Sequence, residues 1–132
     1  MTAGGFEVGA RRILFIEPDY ALGCMARRAL RPEEVFVAPT IASALALLQR
    51  IHVDAVVFDP DDESAGFDLL VKLATDFPSV RVVVYTLSRE AERRLAFGTA
   101  HAILPKPALP DQLREAVLCA VDSGGYRQIR GR

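Results

Sequence analysis

The sequence predicts an α/β domain of three layers, a five-stranded parallel sheet held between two layers of helices. Three observations carry that prediction. Apolar runs of strand length, at residues 12–16, 53–58 and 80–87, alternate with stretches whose apolar residues recur at helical spacing. The runs are nearly unbroken rather than alternating, the pattern of strands covered on both faces. Repeated strand–helix–strand units then require parallel strands joined by right-handed crossovers. The long runs make strands one, three and four central and leave the short second and fifth at the periphery, a flavodoxin-like order 2-1-3-4-5.

Taken in order, residues 1–10 are small and glycine-rich and read as a flexible tail ahead of a domain spanning 11–123. The first strand, Arg-Ile-Leu-Phe-Ile at 12–16, is broken by Glu17, Pro18 and Asp19. Leu22, Met25, Ala26, Ala29 and Leu30 give the first helix its inner face, and Pro32 ends it. A short strand at 35–37 precedes Thr40, an N-cap for a helix over 41–51 with Leu45, Leu47 and Leu48 as its apolar face. The third strand, 53–58, ends at Asp59 and an acidic loop of Pro60, Asp61, Asp62 and Glu63. A third helix follows at 67–77, stopped by Pro78, and a fourth strand at 80–87 ends in the hydroxyls of Thr86 and Ser88. Ser88 suits the cap of a charged fourth helix from Arg89 to Phe97. A fifth strand, Ala102 to Leu104, runs into Pro105, Lys106 and Pro107, and Pro110 opens the last helix in the position where its missing N–H does no harm. Residues 124–132 form a short basic tail, expected to be flexible.

At 132 residues the chain fits one domain that buries about two thirds of its unfolded surface without disulfide or structural metal. Sixteen basic and seventeen acidic residues give a net charge of -1, so no nucleic-acid or membrane partner is expected. Cys24 and Cys119 sit in apolar helical patterns and read as reduced core thiols. Residues 1–9 lack the basic start and apolar core of a secretion signal, and a cytoplasmic location is expected.

In a doubly wound sheet the crevice lies at the carboxyl ends of the strands. There the topology gathers Glu17 and Asp19 from the first strand, Asp59 from the third, Thr86 or Ser88 from the fourth and Lys106 from the fifth. Acids, a hydroxyl and a lysine form a phosphoryl-transfer set. The acids hold a divalent cation, one carboxylate is the nucleophile, and the hydroxyl and ammonium bind phosphoryl oxygens. Plainer roles exist for each residue. Asp59 suits a strand-end turn, Lys106 a solvated surface, and Thr86 is a common strand residue; for Asp19, capping of the first helix is the leading role. His52 and His101 lie outside the crevice, with no acid or cysteine at ligand spacing.

Over residues 11–122 the chain resembles the receiver domain of two-component response regulators, the CheY-like fold. The likeness is carried by Ile13-Leu14-Phe15-Ile16-Glu17, the strand ending at Asp59, the 82–86 strand, and Lys106-Pro107 after a strand. It implies a signalling domain rather than an enzyme, and the chain length, with no room for a DNA-binding output domain, makes a stand-alone receiver the expectation. Asp59 would accept the phosphoryl group of a histidine kinase or phosphotransfer protein, with Thr86 as switch hydroxyl and Lys106 pairing with that group. Mg2+ would be held by Glu17, Asp19, Asp59 and Asp61. A downstream protein would dock on the surface from Arg89 to Phe97, Ala102 to Leu104 and Pro110 to Val121, and a homodimer is compatible with such a surface.

The chain departs from that pattern in three places. Pro18 stands where the family carries the second of two adjacent acids, leaving Asp19, Asp61 or Asp62 to supply its oxygen. The loop after Asp59 is unusually acidic. Ile103 occupies the aromatic switch position, and neither Tyr85 nor His101 is assigned its role. Two alternatives follow: a pseudo-receiver that binds partners without phosphorylation, and a small phosphatase, because Asp59-Pro60-Asp61 also resembles the nucleophile motif of haloacid-dehalogenase-type enzymes.

Overall fold

The structure, a computed structural model, describes residues 10–87, 100–123 and 127–128. Strands β1 (Arg12–Ile16), β2 (Glu34–Ala38), β3 (Ala55–Phe58), β4 (Arg81–Thr86) and β5 (Ala102–Pro105) are accompanied by helices α1 (Tyr20–Ala29), α2 (Ile41–Leu48), α3 (Gly66–Asp76) and α4 (Pro110–Ser123). The pairings are parallel and the order is β2-β1-β3-β4-β5, as expected. A two-residue strand β6 (Arg127–Gln128), within the stretch read as a tail, pairs with β5 at the sheet edge. The helix expected from Arg89 to Phe97, and Ser88 before it, lie outside the described residues.

The pleat of the sheet sorts the core into two clusters. Leu14, Ile16, Val56, Phe58, Val82, Val84 and Ile103 pack with Leu69, Leu70 and Leu73 of α3 and with α2. Ile13, Phe15, Val57, Val83, Tyr85 and Leu104 pack with Ala26 of α1 and with Leu113, Ala116, Val117 and Ala120 of α4. Because helices cover both faces, β3 has no solvent side and all four of its residues are buried, hence its unbroken apolar run. Ala102, Ile103 and Leu104 of β5 are buried as well, Ile103 in the first cluster and Ala102 and Leu104 in the second. The side chains of these three residues are interior, so any contact of a partner with this part of the surface falls on the elements around the strand.

Local chemistry sets the helix ends. Asp19 caps α1, accepting the N–H groups of Ala21 and Leu22 at 2.8 and 3.3 Å, and Thr40 with Ser43 forms a capping box on α2. Helix α2 is shorter than expected, since Arg50 and Ile51 turn back to hydrogen-bond the Leu47 carbonyl. Its inner face is Ile41, Ala44 and Leu48, spaced i, i+3, i+7, while Leu45 and Leu47 are half-buried at its margin. A small residue at the centre lets the helix lie close on the sheet, and the leucine count alone conceals that.

His101 joins β4 to β5 from outside the site. Its N–H donates to the Val82 carbonyl at 2.7 Å, and its Nδ1 accepts the Val82 N–H at 2.9 Å. Nδ1 therefore carries no proton. Burial, followed by the Arg81 charge, lowers the imidazole pKa below its ordinary 6.5. The unfolded chain then binds the proton more readily than the native one, so stability is complete above 6.5 and falls as pH drops below that value. Urea unfolding midpoints across this window are expected to fall in the native chain and to flatten in His101→Gln.

Candidate functional site

The carboxyl edge of the sheet brings together side chains far apart in sequence. Lys106, directly after β5, extends its Nζ to Asp59 Oδ2 at 3.0 Å. Both side chains are largely withdrawn from water, 19% and 9% exposed. The lysine is aimed from both ends. Its backbone N–H donates to the Thr86 carbonyl at 2.9 Å, continuing the β4–β5 ladder past Pro105, and its ammonium lies 4.9 Å from the Tyr85 ring centroid. Tyr85 in turn packs near Phe15, with ring centroids 6.3 Å apart. The peptide bond between Lys106 and Pro107 is cis.

Glu17 is 6% exposed at the tip of β1, where its N–H donates to the Ala38 carbonyl at 2.8 Å and its Oε2 accepts the Asp19 N–H at 3.1 Å. Thr86 is buried at the tip of β4 and is tied to Lys106 through its main chain. Asp61 enters differently from expectation: its side chain is exposed, and it is its N–H that reaches Asp59, donating to Oδ1 at 2.9 Å.

The acidic loop is folded back on itself. Asp62 N–H bonds the Asp59 carbonyl at 3.1 Å, and Gly66 N–H bonds the Glu63 carbonyl at 3.0 Å. A side chain at Gly66 would overlap the Pro60 carbonyl, so only glycine lets α3 start this close to the loop. Glu63 leaves the pocket altogether, its Oε2 accepting the Ile41 N–H at 2.8 Å in the first turn of α2. That tie spans 22 residues, and no local signal announces it because Thr40 already fills the cap.

The charges in this pocket act on one another. Burial opposes the Lys106 ammonium, but the Asp59 hydrogen bond and the charges of Asp59, Asp62 and Glu17 outweigh it and raise its pKa. Desolvation, with smaller contributions from Asp62 and Asp19, raises the Glu17 pKa against the Asp19 N–H and the Lys106 charge. Partial desolvation and then the charge of Asp59 raise that of Asp62. Asp62, exposed like Asp61, thus feels the Asp59 charge across the loop.

The residues expected to hold Mg2+ do not form a ligand set. Asp19 points one oxygen at the first turn of α1, the Asp61 carboxylate faces solvent, and both oxygens of Asp59 already accept hydrogen bonds. Among the described residues no group of three acids, histidines or cysteines is arranged to hold a metal ion. No helix among them is long and apolar enough to cross a membrane.

No family model matches the chain, and no curated protein matches it. Solved structures do. A response regulator receiver domain protein (CheY-like) from Methanospirillum hungatei JF-1 is 27% identical, over 87% of this chain and 96% of that one, with a TM-score of 0.76. A LuxR family DNA-binding response regulator from Silicibacter pomeroyi is 25% identical, over 92% and 98%, at 0.76. A response regulator from Thermotoga maritima, 19% identical over 85% and 98% at 0.77, shares the fold.

Proposed function

We propose, from the premise that the chain is a receiver domain of the CheY-like type, that it accepts a phosphoryl group on Asp59 and signals through protein contacts. The donor is the phosphohistidine of a histidine kinase or phosphotransfer protein. The observation that carries this reading is the contact between Asp59 and Lys106 at the sheet edge. It supplies a nucleophile and, beside it, a cation able to receive the charge that the nucleophile acquires.

The residues divide the work. An ionised carboxylate is an acceptor only and needs no base to act as nucleophile. As its oxygen bonds phosphorus, the nitrogen–phosphorus bond breaks and the electron pair leaves with the imidazole. Lys106 then pairs with a phosphoryl oxygen in place of Asp59 Oδ2, and the Asp61 N–H holds the other carboxylate oxygen. Losing the direct Lys106–Asp59 pair changes the contacts of the β4 and β5 tips, which gives the charge change a mechanical consequence. Of the expected docking surface, the outer face of α4 is exposed at Asp111 and Glu115; the segment 89–97 lies outside the described residues.

A second reading, a receiver fold whose contacts are not governed by phosphorylation, is favoured by Pro18 and by the capping role of Asp19. The phosphatase reading needs the second acid of its motif in the pocket, and the exposed Asp61 carboxylate lends it no support. Intact-mass spectrometry with a small phosphodonor separates the first two. Phosphoacceptance predicts a single phosphoryl adduct on the native chain and none on Asp59→Asn; an unmodified native chain at saturating donor would refute it.

A further inference from the structure

We infer that the Asp59 pocket takes up no divalent cation, that Lys106 is its counter-charge, and that Pro18 is the residue that decides this. The inference deepens the phosphoacceptor reading, on which it rests for the identity of the pocket.

Mg2+ keeps a near-octahedral shell of oxygens and dehydrates reluctantly, so a protein site must present carboxylate oxygens free to replace water. Here Asp59 and one oxygen of Glu17 are engaged and Asp19 and Asp61 are turned away, which leaves Glu17 Oε1 and the exposed Asp62 carboxylate, too few fixed oxygens for such a shell. Asp59 Oδ2 is 3.0 Å from the Lys106 ammonium, and a divalent ion on the same oxygen would sit against a like charge. Asp59 Oδ1 accepts the Asp61 N–H, and Glu17 Oε2 accepts the Asp19 N–H. Asp19 can turn inward only by releasing the two N–H groups of α1 that it caps. Between Glu17 and Asp19 the chain has proline, with no side-chain oxygen to offer. The sheet edge therefore presents a carboxylate already neutralised by an amine.

The test is a titration of the full chain with MgCl2, followed by amide NMR and compared with NaCl at matched ionic strength. The native chain is expected to give no saturable shift at Glu17, Asp59, Asp61 or Asp62. Pro18→Asp, which puts a carboxylate beside Glu17, is expected to gain one. Lys106→Met, which removes the competing cation, serves as a second gain-of-binding variant should Pro18→Asp fold poorly. A saturable response of the native chain at those amides overturns the inference. A silent Pro18→Asp that is folded overturns the role given to Pro18.

Phosphoacceptance is scored apart, by intact mass with a small phosphodonor in chelator and in Mg2+. Adduct in both conditions supports the inference. Adduct in Mg2+ alone overturns it and leaves Asp59 as acceptor. Adduct in neither overturns the acceptor reading, and the titration then decides the metal question alone.

Discussion

Lys106→Met is expected to slow phosphoryl transfer to Asp59 about a hundredfold, the usual loss when one fixed donor to a developing negative charge is removed. It is also expected to destabilise the fold by roughly 2 kcal/mol, below the 3–5 kcal/mol for fully buried pairs because some water reaches this one. The destabilisation arises less from the lost attraction than from the charge left behind. Asp59 is 9% exposed, and without the ammonium its carboxylate keeps the Asp61 N–H as its remaining structural hydrogen bond. Asp59→Asn in the same chain removes the stranded charge, so the double variant should be more stable than Lys106→Met alone. Urea unfolding of the four members of this cycle measures that coupling. The raised Lys106 pKa fixes the pH range of the pair. Its contribution is present below the ordinary 10.5 and disappears as pH rises through and above that value.

Phe58→Ala is expected to cost about 3–5 kcal/mol, the range for emptying a buried aromatic site. Phe58 is 1% exposed and packs in the cluster shared by β1, β3, β4 and α3, one residue before Asp59. A cavity there loosens the end of a strand only four residues long. The effect should therefore reach the site. The Lys106 contact requires Asp59 to be held, and phosphoryl transfer should fall in a variant that is still largely folded under native conditions. Denaturant unfolding gives the stability change, and adduct formation at a temperature well below the transition gives the functional one. A Phe58→Leu control, which refills most of the volume, should recover much of both.

The fold was legible because its central strands are buried on both faces, and that condition writes itself into sequence as unbroken apolar runs at 12–16, 53–58 and 80–87. The order of strands followed from the lengths of those runs together with the connection rules for parallel strands. Less legible was whatever depended on partners distant in sequence. Helix α2 turns Ile41 and Ala44 inward in preference to Leu45 because the sheet sets its depth. Glu63 reads as one more pocket acid, yet it caps a helix across the loop. Strand β5 lies at the periphery of the five-strand order, as its length predicts, yet Ala102, Ile103 and Leu104 are buried, which its length did not announce.

The same division holds at the site. That Glu17, Asp59, Thr86 and Lys106 share the carboxyl edge follows from the strand tips, and the structure places them there. Which carboxylates turn inward does not follow. Pro18, the cap on α1 and the turn at Asp61 decide it, so that Asp19 and Asp61 face away, while Asp59 and Glu17 are withdrawn from water. Adjacent acids look alike in a sequence; their hydrogen bonds separate them.

The most direct measurement is to treat the donor-loaded chain with borohydride, which reduces an acyl phosphate to an alcohol, and to locate the altered residue by peptide mass spectrometry. The account predicts conversion at Asp59 and at no other acid of the pocket. Conversion at Glu17, Asp61 or Asp62 with Asp59 intact would contradict it.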